Sequence, residues 1–303
     1  MKIAAVGVHV LDTHVIGIES IPAGSDGQLV ETIRMSPAGT AGGTAVVLAR
    51  LGADVRSLGA VGDDPAAEAL LALLEREGVD ASGLVRKPDH QTSASVIPVR
   101  PNGDRPAWHC IGANGAFTLD DLGPSALDDL THLHLGGPEF LGGEAAGRLL
   151  GDARERGAVT SVDLLAPGGP DLLAWIADAL PHTDYLLPND EQVLGFTGAA
   201  SLAEGARALV DAGVGCVAVT RGAKGALVVT ADSAVEVPAY PIEVVDTTGC
   251  GDAFSAGFLR GLALGRDPAG AAALGCATAA QVAQGLGTDA GSYTLETVTT
   301  LAP

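Results

Sequence analysis

The chain has 303 residues, 47% of them hydrophobic and 18% charged, which is enough apolar material to bury a large core in one domain with an appendage. Its formal net charge of −20 excludes the basic face that binding to nucleic acid or to an anionic membrane would require. The cysteines show neither CxxC spacing nor a disulfide pattern, so a cytoplasmic location is expected; they are Cys110, Cys216, Cys250 and Cys276.

The apolar pattern predicts strands that alternate with helices along the chain. Strands are predicted at residues 2 to 8, 54 to 61, 131 to 135, 158 to 164, 184 to 187, 215 to 220 and 226 to 230. Helices are predicted at residues 41 to 51, 65 to 77, 143 to 156, 171 to 180, 201 to 212, 252 to 264 and 268 to 285. This alternation implies a three-layer α/β fold, in which a mostly parallel sheet carries helices on both faces and binds ligands at the carboxyl ends of its strands.

Several of these helices have recognisable start signals. They are Asp64 before Pro65, Asp267 before Pro268, and a capping box formed by Ser201 and Glu204. The last helix lies in an uncharged stretch, residues 268 to 288, that is long enough to span a bilayer. Because this stretch is rich in Ala and Gly and contains glutamines, a core helix is expected and no membrane segment is predicted.

Two stretches depart from the alternation of strands and helices. Residues 12 to 36 and 92 to 110 alternate polar and apolar side chains around the turn signals AGSDG and PNGD, so each is expected to form a hairpin. The hairpins are either unrelated or paired into one small β-sheet that acts as a lid over the strand ends. The paired arrangement predicts a large α/β domain (1–11, 37–91 and 111–303) and a small β lid (12–36 and 92–110).

The most informative segment is DTTGCGD at residues 246 to 252, which connects a strand predicted at 235 to 245 to the helix that follows. The backbone amides of residues 249 to 251 would lie at the positive end of the helix dipole, where an anion such as phosphate binds. Asp252 is unexpected in a plain phosphate site. It is either a general base or an ordinary helix N-cap.

Together with four other segments in the same order, DTTGCGD resembles the signature DTxGxGD of the ribokinase-like (PfkB) family of carbohydrate and nucleoside kinases. The other segments are a first strand ending at Gly7 with Asp12 five residues later, PAGTAGGTAVVLARLG at 37 to 52, Asn189 after a strand, and TRGAKG at 220 to 225. The resemblance covers essentially the whole chain and implies an ATP- and Mg²⁺-dependent kinase. GxxxxGK[ST], GxSxG and a GxGxxG after the first strand are absent, so Walker NTPases, hydrolases and dinucleotide dehydrogenases lack support.

The resemblance implies roles for residues of the DTTGCGD segment. Asp252 would take the proton from the substrate hydroxyl as it attacks the γ-phosphate of ATP, while the loop amides meet the charge on the transferred group. Asp246 and Thr248, with neighbouring carbonyls, would help to bind a monovalent cation, K⁺. The residues implied in catalysis are Asp252, Gly249, Cys250 and Gly251.

The resemblance also implies a substrate pocket. Asp12, at the root of the lid, would accept hydrogen bonds from substrate hydroxyls, although an aspartate there is also typical of a turn. The other implied pocket residues are Gly39, Thr40, Gly43 and, within a GAN sequence, Asn114. Many relatives have an asparagine in place of Gly43, and Ala38 replaces the first glycine of their GG pair. The acceptor is therefore expected to be a sugar or sugar derivative, or a nucleoside if the space at Gly43 and around Trp108 admits a base.

Further residues are implied in nucleotide binding. Asn189 opens NDEQ, where relatives carry N-x-x-E and order Mg²⁺; Gln192 supplies no negative charge, so Asp190 or Glu191 would have to help. Gln192 is also the one motive for a regulator that has lost catalysis, and NDE is otherwise an acidic helix start. Thr220, Gly222 and Gly225 match a nucleotide-contacting turn or a plain hairpin, and Cys276 lies in the adenine pocket or in a helix core.

Three histidines were considered as ligands. His132 and His134 would face the same side of a strand, but no third metal ligand accompanies them, so a structural role is favoured. His9 is either near the substrate or buried in a strand. As partners, the resemblance implies the small-molecule substrate, ATP and a second copy of the chain, because lid sheets often pair across a dimer in this family.

Overall fold

The computed structural model describes residues 1–100 and 105–302, so the turn predicted from PNGD at 101 to 104 lies outside the described residues. Within these residues the strands form one large and one small sheet. The large sheet contains β1 (Lys2–Gly7), β4 (Asp54–Gly62), β5 (Asp80–Lys87), β8 (His132–Gly136), β9 (Val159–Asp163), β10 (Tyr185–Leu186), β11 (Cys216–Thr220), β12 (Ala226–Thr230) and β13 (Ala234–Val237). The small sheet contains β2 (Val10–Ile16), β3 (Thr32–Ala38), β6 (Ala94–Val99) and β7 (Trp108–Cys110).

The large sheet is mostly parallel, as the sequence predicts. Its order is β13-β12-β11-β10-β9-β8-β1-β4-β5, and only the β11–β12 and β12–β13 pairs are antiparallel. The helices are α1 (Gly42–Arg50), α2 (Pro65–Arg76), α3 (Pro138–Leu141), α4 (Gly143–Glu155), α5 (Pro170–Trp175), α6 (Asp190–Thr197), α7 (Leu202–Asp211), α8 (Cys250–Ala263), α9 (Pro268–Val282) and α10 (Leu295–Leu301). Among the described residues, no helix has the length and apolarity needed to cross a bilayer.

Helices cover both faces of the large sheet, which confirms the three-layer fold. Ala4 and Val6 of β1 pack in one apolar cluster with residues of α4, α6 and α7. Ile3 and Ala5, which point the opposite way because side chains alternate along a strand, pack in a second cluster with α1, α2, α8 and α9. The core therefore lies in two layers, one on each side of the sheet.

The predicted helix starts are confirmed. The side chains of Asp64, Ser201 and Asp267 accept hydrogen bonds from the amides of Ala67, Glu204 and Gly270, at 2.9, 3.3 and 2.7 Å. These bonds satisfy amides that the first helical turn leaves unpaired.

The strand predicted at 235 to 245 is wrong over most of its length. Only Ala234–Val237 is a strand, and residues 238 to 245 form no regular structure. Pro238 and Pro241 explain the difference, because proline has no amide hydrogen to donate to a neighbouring strand. Three elements were not predicted as such, namely β5, α6 and α10.

The two hairpins pair into one sheet, as predicted for a lid. The order is β3-β2-β6-β7, with β2 and β6 joining the hairpins in parallel. We call these four strands the lid sheet. Its register places polar side chains on the inner face, including Asp12, His14, Arg34, Ser36 and Ser95. The outer face carries exposed apolar side chains, including Ile33, Met35, Val96 and Trp108.

The end of β1 is where the lid sheet leaves the large sheet, and it leaves no room for a side chain at Gly7. The φ of Gly7 is 116°, and a Cβ there would overlap the carbonyl oxygen of Gly136 on β8. That same oxygen accepts a hydrogen bond of 2.9 Å from the amide of Val8. A close approach of two backbones therefore fixes the position from which the lid sheet starts.

We predict that Gly7→Ala lowers the free energy of unfolding by about 3 kcal/mol, because it adds both a clash and an unfavourable φ. Gly52→Ala is the matched control: its φ is 76° but nothing lies within 4 Å of a new Cβ. The control should lose only about 1 kcal/mol. Urea denaturation of the two variants measures the difference, and equal losses would contradict the argument from close approach.

Candidate active site

The DTTGCGD segment forms the N-terminus of α8. Gly249 is the N-cap with a φ of 76°, and a Cβ there would overlap the Thr288 hydroxyl, so only glycine fits. The amide of Cys250 donates to Thr247 O at a long 3.3 Å, so one of the three predicted anion-binding amides is weakly engaged. The amides of the first helical turn otherwise have no intrahelical acceptor and lie at the positive end of the dipole.

Asp252 lies in the first turn of α8, two residues beyond its start at Cys250. It is not the N-cap, and the N-cap residue makes no side-chain capping bond, so the interpretation of Asp252 as an ordinary cap is wrong. Its side chain is half-buried and lies against Gly43 of α1, where a Cβ would overlap Oδ2 of Asp252. Gly43 therefore makes room for this carboxylate.

The charge environment of Asp252 favours its protonated form. Burial raises the pKa of Asp252 well above its ordinary value, and the negative charges of Asp163 and Asp12 raise it further. A carboxylate whose pKa is raised in this way is a stronger base when it is ionised. Such shifts are typical of general bases.

Asp163 is a site residue that the sequence reasoning missed. It ends β9, is 7% exposed, and accepts hydrogen bonds from the amide of Leu164 (2.8 Å) and the hydroxyl of Ser255 on α8 (3.0 Å). Burial raises the pKa of Asp163 to about 7. A signal was available, because an aspartate directly after a buried parallel strand lies at the ligand-binding edge of the sheet.

Asp12 is brought to the same place from the lid sheet. It lies on the inner face of β2, is 6% exposed, and accepts a hydrogen bond from Ser95 of β6. Burial raises the pKa of Asp12 to about 6. The Ser95 hydroxyl is also 3.0 Å from Nδ1 of His109, so a polar chain runs across the inner face of the lid sheet.

The segment before α1 forms the floor beneath the lid sheet. Gly39 has a φ of 92°, and a Cβ there would crowd the carbonyl of Val8. The Thr40 side-chain hydroxyl is buried and has no hydrogen-bond partner, so it is available to a polar ligand. The other end of this floor is Gly43, whose missing side chain is replaced by the Asp252 carboxylate.

Asn114 and the three histidines make structural contacts. Both ends of the Asn114 amide bind the backbone of His9, at 3.0 and 3.2 Å, and its contact with a substrate stays a prediction. His9 is buried with Nδ1 2.9 Å from Gly7 O, and burial lowers its pKa to about 4. His134 bridges the Ser161 hydroxyl and Thr40 O, and burial lowers the pKa values of His132 and His134 to about 4. In the described part of the chain no three potential ligands form a metal site.

Asn189 and Thr220 come together at the neighbouring strand ends. They form an isolated parallel bridge, and the amide of Thr220 donates to Pro188 O at 2.9 Å. Gly222 and Gly225, with φ values of 53° and 83°, form the turn of the antiparallel β11–β12 hairpin. The hairpin interpretation is confirmed, and nucleotide contact by its turn stays a prediction.

Gln192 has a structural reason to be glutamine. Asn189 and Gln192 form a reciprocal capping box on α6, with hydrogen bonds of 2.8 and 2.9 Å. The Gln192 amide nitrogen also donates to Leu164 O and Ala166 O, each at 3.0 Å. The side chain is thus fully used in joining α6 to the segment after β9.

Two further predicted residues are buried. Asp246 Oδ1 accepts bonds from the amide (2.9 Å) and hydroxyl (2.8 Å) of Thr248, and its Oδ2 accepts one of 3.1 Å from Gly287 N. Cys276 lies on α9 in an apolar cluster with Phe254 and Phe258, and burial raises its pKa to about 11. The cysteine is therefore a neutral thiol in a packed helix.

The chain was then compared with known proteins. A model of the pfkB family carbohydrate kinases matches residues 2–295. The chain belongs to this family. The resemblance inferred from the five motifs is thereby confirmed, and with it the assignment of the protein as a kinase.

Individual relatives of this pfkB kinase agree with the family. The deoxyribokinase of Salmonella typhi is 28% identical over 259 residues, which are 84% of this chain and 83% of that protein. An uncharacterized sugar kinase of Archaeoglobus fulgidus is 30% identical over 223 residues, which are 73% of this chain and 87% of that protein. The structure of a putative ribokinase II from E. coli, 23% identical, superposes with a TM-score of 0.86 over 99% of this chain and 98% of that one, which confirms the ribokinase-like fold.

We predict that Asp163→Asn lowers the pKa of Asp252. A nearby negative charge favours the protonated form of Asp252, so removing that charge should keep its carboxylate ionised to lower pH. A pH titration of the Asp252 carboxyl carbon by NMR measures the shift, and the acid limb of the turnover profile should move in the same direction.

Glu139→Gln is the control for this prediction. The charge of Glu139 acts on Asp163, whereas the charges that act on Asp252 are those of Asp163 and Asp12. This variant should leave the Asp252 titration closer to the wild type than Asp163→Asn does. A titration that Asp163→Asn leaves unchanged would show that the two carboxylates are not coupled.

Proposed function

We propose that this pfkB kinase transfers the γ-phosphate of ATP to a hydroxyl of a sugar or sugar derivative, with Asp252 as the general base. The observation that carries the proposal is the position of Asp252, which lies in the first turn of α8 between Gly43 and the carboxylates of Asp163 and Asp12. A relative supports the choice of phosphate donor: the E. coli putative ribokinase II, 23% identical with a TM-score of 0.85, has been solved in complex with ATP and Mg²⁺.

Phosphoryl transfer needs positioning and charge neutralisation more than covalent chemistry. In the proposed reaction the acceptor hydroxyl attacks the γ-phosphorus, its bond to the leaving oxygen of ADP breaks, and the hydroxyl proton passes to Asp252. The N-terminal amides of α8, at Gly249, Cys250 and Gly251, lie where the charge on the transferred group develops. The lid sheet covers the acceptor and excludes water, which would otherwise be phosphorylated.

The acceptor is proposed to lie between the lid sheet and the segment before α1. Asp12 and Ser95 provide polar groups from above, and the unpartnered hydroxyl of Thr40 provides one from below. Several polar groups converging on a partly enclosed space suit a polyhydroxylated ligand. We propose this arrangement as the basis of sugar binding.

A magnesium ion fits the phosphate end of the site, where it would neutralise charge on the nucleotide. Mg²⁺ typically retains waters and takes one or two protein carboxylates together with substrate phosphates. Asp190 and Glu191, in the first turn of α6, are the carboxylates nearest in sequence to Asn189. Gln192 is excluded from this task because its amide is used in the capping box.

The two alternatives lose their motives. A nucleoside acceptor was favoured by space at Gly43 and around Trp108, but Asp252 fills the first, and Trp108 lies on the outer face of the lid sheet. A regulator without catalysis was motivated by Gln192 alone, and the capping box accounts for this residue. A nucleoside kinase from Methanothermobacter thermautotrophicus is 26% identical over 269 residues, so nucleosides stay in the test.

We predict that Asp252→Asn reduces turnover by about 10²- to 10⁴-fold, the usual contribution of a general base. The acceptor is first found by screening pentoses, hexoses, keto-deoxy sugar acids and nucleosides for ADP release. Asp211→Asn, an exposed site at the end of α7, serves as the control and should behave like the wild type. ATP binding by the Asp252 variant, measured by calorimetry, should persist.

Two results would overturn the proposal. Full turnover by Asp252→Asn would remove its role as base. Binding of a ligand without turnover on any acceptor in the wild type would favour the regulator. A nucleoside as the best acceptor would replace the sugar in the assignment while leaving the role of Asp252 intact.

We also propose that two copies pair through the outer face of the lid sheet. That face is uncharged at Ile33, Met35, Val96 and Trp108, which are 66, 51, 42 and 54% exposed. Contiguous exposed apolar side chains mark interaction surfaces. Because the chain carries a net charge of −20, two copies repel each other least where no carboxylates meet.

We predict that Met35→Glu converts a dimer into a monomer, because it places a charge in the centre of the apolar face. Light scattering coupled to gel filtration measures the mass. Val235→Glu is the matched control, since Val235 is 40% exposed on β13 and far from the lid sheet in the strand order. A monomeric wild type would exclude the pairing.

A further inference from the structure

The monovalent cation implied at Asp246 and Thr248 can be tested against the groups that surround them. Residues 283 to 290, which we call the C-terminal loop, follow α9 and wrap this aspartate. The carbonyl of Ala283 accepts bonds from the amides of Val245 (2.8 Å) and Asp246 (3.3 Å). Both carboxylate oxygens of Asp246 already accept bonds from the chain, from Thr248 and Gly287. The oxygens expected to bind a cation are thus largely occupied.

A cationic side chain from the lid sheet also enters this region. Arg34, on the inner face of β3, donates through Nη1 to the carbonyl of Leu286 and through Nη2 to Oδ1 of Asp289 at 2.7 Å. The Asp289 side chain is 1% exposed, so this ion pair is buried on the acidic side. The guanidinium therefore neutralises a carboxylate and satisfies a carbonyl of the C-terminal loop at once.

The charge of the C-terminal loop is balanced without an added ion. Arg76 binds the other oxygen of Asp289 at 3.1 Å, and Arg105 lies 3.8 Å from Oδ1 of Asp246. Three guanidinium groups, those of Arg34, Arg76 and Arg105, thus face the carboxylates of Asp246 and Asp289. A further cation would be repelled by Arg34 and Arg105.

The C-terminal loop contacts the proposed anion-binding turn directly. Thr288, between Gly287 and Asp289, packs so closely on Gly249 that a Cβ at Gly249 would overlap its hydroxyl. A Cβ at Gly287 would lie 3.1 Å from Nη1 of Arg34 and 2.7 Å from the Ser36 hydroxyl. Any shift of Arg34 therefore reaches Gly249 through two residues of the loop.

We propose that the Arg34 guanidinium takes the place of the monovalent cation, so that a lid side chain and not K⁺ positions the C-terminal loop against Gly249. Arg34 is a positioning residue in this scheme, because it acts on the reacting groups through the loop. The residues at Asp246 and Thr248 do not fit a bound K⁺ while Arg34 is present. The activity arm of the test rests on the proposed kinase function, and the stability arm does not.

The test compares KCl with choline chloride at equal ionic strength. In the wild type, both the rate of phosphoryl transfer and the melting temperature should be the same in the two salts. Arg34→Met removes the charge and donors while keeping an apolar stem, and should slow turnover by about tenfold, as expected for losing a group that orients an active-site element. KCl should restore part of this loss and raise the melting temperature of Arg34→Met above its value in choline chloride.

Two further variants keep the experiment decisive. Arg34→Lys retains a positive charge and should stay independent of KCl, even if Arg34→Met folds poorly. Arg86→Met is the matched control, since Arg86 pairs with Asp63 and Glu68 on the surface, away from the C-terminal loop. It should respond to neither salt.

The proposal is overturned if KCl, and not choline chloride, raises the wild-type melting temperature or turnover, because a cation site would then be open beside Arg34. It is also overturned if Arg34→Met matches Arg86→Met in both salts. If no acceptor is phosphorylated, the kinase proposal fails, but the melting temperatures still decide whether Arg34 replaces the cation.

Discussion

The contact between α1 and α8 is the constraint on which the rest of the site depends. The two helices approach so closely that the Asp252 carboxylate occupies the volume where residue 43 would have a side chain. Strands β1 and β9 bring the other walls, since the start of α1 follows the lid hairpin and Asp163 ends β9. Because all these elements end at the same edge of the sheet, a few short backbone distances place three carboxylates together.

A cluster of carboxylates costs stability unless the fold handles its charge. Here the pKa values of Asp12 and Asp163 are raised to about 6 and 7 by burial, so neutral protonated forms are accessible near neutral pH. Asp246 and Asp289 are treated differently, because guanidinium groups lie next to them. An acidic chain with only 17 lysines and arginines thus concentrates several arginines where the lid sheet meets the C-terminal loop.

The fold and the position of the base could be predicted because they depend on local signals. Alternating periodicities, Asp–Pro helix starts and DTTGCGD are each contained in a short segment, and each was found. Asp163, Arg34 and Asp289 were not found, because their importance comes from contacts between residues far apart in sequence. Arg34 and Asp289 are separated by 255 residues. Gln192 was misjudged for the same reason, since its partners Leu164 and Ala166 lie 28 and 26 residues away.

The absent side chain at Gly43 has a consequence for protein engineering. In a family where this position is often varied to recognise the acceptor, this chain has assigned the same space to its proposed base. Redesign of the acceptor preference at Gly43 would displace Asp252 and lose the reaction together with the old specificity. The lid strands β2 and β6, where Ser95 and its neighbours face the pocket without touching α8, are the place where selectivity can be changed separately from chemistry.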